Sequence, residues 1–131
     1  LARGNAKLRE EQATGLGKWA ADQDLPIVAA GHFNFDDDFP TEKGNPAFDK
    51  FLEGGMWTWV KPDPLVDTKW SAPDGDGLDN YPDSMLDSAF VAGAARQWDV
   101  KSEVIVREDD FPDHERSTGH RPVVVKIAIG R

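Results

Sequence analysis

Cysteine is absent from the sequence. That excludes disulfides, zinc–thiolate sites and a cysteine nucleophile, and it leaves the redox compartment undetermined. No run of about 18 apolar residues occurs, so nothing reads as a membrane-spanning helix. The opening Leu1-Ala2-Arg3-Gly4 is followed by no apolar stretch, so it does not read as a signal peptide. It also lacks an initiator methionine, as expected of a processed chain or a fragment. Basic residues are scarce: 15 Lys and Arg stand against 24 Asp and Glu, a formal net charge of −9. A chain that holds polyanions by bulk attraction normally shows the opposite balance. A nuclease of this charge must rely on local cations or bound metal, and the plain alternative is an acidic, soluble surface. Internal repeats and low-complexity segments are missing too.

What is present suits a single domain spanning residues 1–131, or part of one. Five Trp and seven Phe supply apolar area for a core. Leu8, Gln12, Leu16, Trp19 and Ala20 recur at helical spacing and predict a helix over Asn5–Gln23, with Asn5 as N-cap. Asn45-Pro46 predicts a second N-cap with proline at the first helical position. Phe48, Phe51 and Leu52 would be that helix's buried face, and Gly54-Gly55 its end. Strands are expected at Ile27–Ala30, Thr58–Val60, Met85–Val91, Val100–Arg107 and Arg121–Ile129, and Lys61–Pro82 reads as mostly loop. One of Trp57 and Trp59 should be core and the other packed at an edge, while Trp19 and Trp98 read as core.

The fold class is therefore α/β, with one mixed sheet and the helices on its outer face. Val123, Val124, Val125, Ile127, Ala128 and Ile129 nearly abolish polar alternation, as in a strand buried on both faces. Two helices cover only one face of a sheet, so the other face needs a cover of its own.

Three segments then carry a resemblance. Pro26 to Asn34 reads Pro-Ile-Val-Ala-Ala-Gly-His-Phe-Asn and ends in a variant of a Gly-Asp-Phe-Asn motif. Ser84 to Val91 reads Ser-Met-Leu-Asp-Ser-Ala-Phe-Val and is similar to an Ile/Leu-Asp-Tyr-x-Phe-Val strand. Asp109-Asp110-Phe111-Pro112-Asp113, followed by Ser117 to Val123, is similar to a terminal Ser-Asp-His-Arg-Pro-Val motif. In this order, and with the opening helix before them, the segments resemble the C-terminal half of an endonuclease/exonuclease/phosphatase domain, the DNase I-like metal-dependent phosphodiesterases. The resemblance implies half of a four-layer α/β/β/α sandwich, whose N-terminal half, with its metal-binding Asn and Glu, is missing here. It also implies Mg²⁺ as the family's ion.

Phosphodiester hydrolysis needs an activated water, a cation on the phosphoryl oxygens and stabilisation of the leaving oxygen. By resemblance, Asn34 takes the place of the residue that bonds the scissile phosphate, and His120 that of the residue that contacts the phosphate or moves a proton. Asp87 matches the strand Asp that supports the site from behind. Two positions depart: His32 stands where the water-activating Asp is expected, and Gly119 where the Asp before the His is expected. Imidazole can act as a base near neutral pH, but it does not hold Mg²⁺ as a carboxylate does. Losing a carboxylate that orients a catalytic His costs about 10⁴-fold in the Ser-His-Asp template. The chain alone is thus expected to be inactive and to bind no Mg²⁺ tightly.

Each candidate has a plainer reading. His32 and His120 could be ordinary turn histidines, and Asn34 could simply cap a turn. Asp36, a weak metal candidate, belongs to Asp36-Asp37-Asp38, which reads more simply as a solvated acidic loop. Asp74 to Asp79 lacks the oxygen ligand and glycine that a calcium loop of the EF-hand type requires. Two function classes follow: an enzyme half-domain, or a non-catalytic homologue serving binding or assembly. Expected partners are a second copy over the open sheet face, or the missing half; a phosphoester is a substrate only once the site is completed. No membrane association is expected, and the related bacterial branch is often secreted.

Overall fold

A computed structural model describes residues 1–37, 44–71, 83–108, 110 and 119–128, with residues 36 and 37 as backbone alone. Helix α1 spans Ala6–Ala21 and starts where Asn5 Oδ1 accepts from the Leu8 amide at 3.0 Å. Helix α2 spans Pro46–Leu52; Asn45 Oδ1 accepts from the amides of Ala47 and Phe48, and proline follows the cap directly. Gly54 ends the second helical segment at φ 77°, a left-handed conformation that a side chain disfavours. Among the described residues no helix is long and apolar enough to cross a membrane.

The strands are β1 (Ile27–Asp37), β2 (Trp57–Trp59), β3 (Met85–Ala92), β4 (Asp99–Val104) and β5 (Val123–Ala128). The chain is α/β, but the expected single mixed sheet is replaced by two antiparallel sheets, β1-β3-β2 and β4-β5. Isolated bridges join them: Pro62 pairs with Ser102, and Lys69 pairs with both Ser84 and His120. The 61–71 segment, read as loop, is thus the seam between the sheets. Its proline and aspartate content hid two short stretches that pair on both sides. The backbone at Asp36 and Asp37 belongs to β1 and not to the expected acidic loop. Position 38 and the 74–79 segment lie outside the described residues.

Side-chain alternation sorts β1 and β3 onto two faces. Phe33, Phe35 and Phe90 point to the helices and build one core with Phe48, Phe51 and Trp57. The rings meet at 4.8–6.2 Å around Phe90 and Phe35, mostly edge-on, and Trp57 stacks on Phe51 at 4.9 Å. On the other face Ala89 and Val91 pack with Val60 and Ala95, with Val28, Val100 and Val125 closing over them. The second sheet therefore supplies part of the cover that this face needed.

Three readings of burial are corrected. Trp19 and Trp98 are 49% and 42% exposed, not core. Of the expected stripe, Ala20 and Leu16 do face the core, but Leu8 and Trp19 give way to Arg9 and Ala13. The small alanines let α1 approach the core closely, and the Arg9 guanidinium is satisfied by the carbonyls of Ala2 and Arg3 at 2.8 Å each. Strand β5 is not buried on both faces of this chain: Val123 and Val125 are half-buried, while Val124 and Ile127 are each 36% exposed.

Candidate functional site

The register of β1 against β3 makes successive cross-strand pairs, Val28 with Val91, Ala30 with Ala89 and His32 with Asp87. All three lie on the face away from the phenylalanines. The pairing becomes irregular beyond His32, where Asn34 takes φ 56°, a left-handed conformation Asn tolerates better than most residues. That local turn swings the Asn34 side chain back toward His32.

Asp87 sits between two imidazoles. Its Oδ1 lies 3.1 Å from His32 Nδ1 and its Oδ2 lies 2.7 Å from His120 Nδ1. The two rings are 5.2 Å apart and inclined by 65°. His32 Nε2 lies 2.8 Å from Asn34 Oδ1. The orientation of that amide is fixed, because Asn34 Nδ2 donates to the Leu1 carbonyl at 2.7 Å. Both His32 nitrogens thus face an acceptor oxygen, one on Asp87 and one on Asn34. Asn34 is 5% exposed, and its own carbonyl accepts from Asn45 Nδ2, which ties the site to the cap of α2.

Sequence reasoning missed the residues that hold these groups in place. Thr68, fully buried, accepts from the amides of Leu86 and Asp87 through Oγ1 at 3.0 Å each. The Arg121 amide donates to the Thr68 carbonyl, and the Trp70 amide to the Gly119 carbonyl, so the 68–70 segment brings His120 up to β3. Arg121 grips Asp110 with Nε and Nη2 at 2.9 Å each and donates from Nη1 to the Asp67 carbonyl. That guanidinium holds the Asp110 carboxyl below the usual carboxylate range. Burial pushes Asp67 the other way, above its ordinary value, with Asp83 adding to the effect. Only the apolar neighbours of Thr68 in the sequence, Val66 and Trp70, hinted at a pairing segment there.

His32, Asn34, Asp87 and His120 are thus brought together at one end of the sheet. Gly119, buried at φ 61°, accepts through its carbonyl and offers no side chain. The Asp36 side chain lies outside the description. The hollow lined by Trp59, Lys61, Asp63, Lys101, Glu103 and Lys126 lies away from all four residues.

The described residues do not fit Mg²⁺. Mg²⁺ demands near-octahedral oxygen ligands, and this cluster offers one carboxylate, already shared by two imidazoles. Compared with family models, curated proteins and solved structures, the chain matches none.

Proposed function

We propose that this chain is a degenerate phosphodiesterase-type half-domain, related in plan to the C-terminal half of a four-layer sandwich, and that it does not hydrolyse phosphodiesters by itself. The observation that carries the reading is the state of His32. It occupies the position where a water-activating carboxylate is expected, yet both of its nitrogens are already engaged, one facing Asp87 and the other Asn34. A ring held on both sides presents neither nitrogen to an attacking water. The convergence of Asn34, Asp87 and His120 from three separated segments supports the scaffold half of the reading.

The second reading, a non-catalytic homologue used for binding or assembly, is favoured by the same cluster. With Gly119 and His32 in place of two carboxylates, the site retains hydrogen-bonding groups and lacks a base. Its partner would be a second copy packed over β5, whose outward face carries Val124, or a chain supplying the absent half.

The test is hydrolysis of DNA and of a simple phosphodiester by purified protein with Mg²⁺, Mn²⁺ or Ca²⁺, against a chelator control. No turnover is expected, and restoring both carboxylates (His32→Asp with Gly119→Asp) should not create it. Robust chelator-sensitive turnover by the wild-type chain would overturn the reading.

A further inference from the structure

We propose that His32, Asp87 and His120 form a binding site for a borderline divalent cation of the Zn²⁺ type, and not for Mg²⁺. One ligand atom from each of the three residues lies within 4.8 Å of the others. In a tetrahedral zinc site, with bonds of about 2.0–2.1 Å, ligand atoms are separated by about 3.4 Å. Here Asp87 oxygens lie 3.1 Å from His32 Nδ1 and 2.7 Å from His120 Nδ1. An ion would seat between them once the widest of these separations, at most 4.8 Å, closes to about 3.4 Å. Both imidazoles already turn Nδ1 inward to the same carboxylate, so the ion takes the place of the hydrogens that now join them.

An independent observation points the same way. Metal-bound histidines almost always donate their remote N–H to an oxygen that fixes the ring. His32 does this: Nε2 meets Asn34 Oδ1 at 2.8 Å, and Asn34 is fixed in turn by the Leu1 carbonyl and buried. The backbone beneath is held as well. His32 and Asp87 are direct cross-strand partners, Thr68 pins the Asp87 amide, and Lys69 pairs with His120. The three side chains remain 39%, 18% and 32% exposed, which leaves room for water at a fourth position. The donor set decides the ion. Two imidazole nitrogens and one carboxylate suit Zn²⁺, Co²⁺, Ni²⁺ or Cu²⁺, whereas Mg²⁺ wants oxygen alone. This departs from the expectation that no ion binds tightly, which rested on the demands of Mg²⁺. The inference does not depend on the phosphoester reading, since it concerns only these side chains.

The experiment is calorimetric titration of the whole chain with Zn²⁺ alone and with Mg²⁺ alone, alongside the visible absorption of added Co²⁺. One Zn²⁺ per chain is expected, with an intense Co²⁺ band and no Mg²⁺ heat. His32→Ala and His120→Ala should each weaken Zn²⁺ at least about ten-fold, and Asn34→Ala by about 10–100-fold. His114→Ala, which removes the chain's third histidine, should change nothing. Because alanine at position 32 could loosen the β1–β3 pairing, His32→Gln serves as a second variant, with circular dichroism reporting the fold of each. Equal Zn²⁺ affinity in the wild type and a folded His32→Gln/His120→Ala double variant would overturn the proposal. So would an absence of Zn²⁺ binding by the folded wild type, or loss of binding in His114→Ala.

Discussion

Replacing Thr68 by valine removes one oxygen and leaves the side chain's shape almost unchanged, so it isolates what that oxygen does. In the native chain Oγ1 accepts from two successive amides of β3, Leu86 and Asp87, at 3.0 Å each. Thr68 is fully buried and so is its bond to Leu86; the bond to Asp87 is partly buried. Leaving a buried donor unsatisfied costs about 1–3 kcal/mol. With one donor fully and one partly orphaned, Thr68→Val should cost about 2–4 kcal/mol. Thr68→Ser keeps the oxygen and loses one methyl, worth about 1 kcal/mol. Polarity and packing therefore predict opposite rankings, and polarity should win. In urea unfolding, with a slope of about 2 kcal/mol/M, the valine variant's midpoint should fall by about 1–2 M and the serine variant's by about 0.5 M. The slope itself should stay unchanged. A valine variant as stable as the serine variant, or more so, would refute the assignment of Thr68 as the anchor of β3.

Asp110, held below the ordinary carboxylate range by Arg121, stabilises the fold above pH of about 4, and that contribution is lost as pH falls through its depressed folded value. Asp110→Asn should therefore lower the urea midpoint at pH 7, and its difference from the wild type should shrink as pH falls below about 4; a difference that does not shrink in acid would mean the guanidinium is not the cause. A second copy over the outward face of β5 should give a dimer mass by light scattering at micromolar concentration, and Val124→Lys should return it to monomer; a monomeric wild type would remove that partner.

The parts of the fold with strong local signals were legible in the sequence. Asn5 and Asn45-Pro46 marked both helix starts, because a cap acts through bonds two or three residues away. The buried face of α1 was legible only in part. Arg9 looks like a surface charge until Ala2 and Arg3 offer it two carbonyls, and those contacts belong to the folded chain. His32, Asn34, Asp87 and His120 were all singled out, but their mutual engagement depends on strand register across 55 and 33 positions. The splitting of the sheet was equally hidden, since β4-β5 meets the rest through isolated bridges at Pro62 and Lys69 that no periodicity announces.

The two faces of β3 are unequally furnished, and this gives the molecule an order in which it comes apart. The helix side is closed by six large rings, the other side by valines and alanines. Opening free energy follows the apolar area that must be exposed. The β4-β5 hairpin is therefore the cheaper unit to release, and its amides should exchange with solvent sooner than those of β1 and β3. His120 leads into that hairpin, whereas His32, Asn34 and Asp87 sit on the strands beside the aromatic core. Release of the hairpin would leave the backbone at His120 held by its bonds to the 68–70 segment, so His120 is expected to loosen before the other three groups.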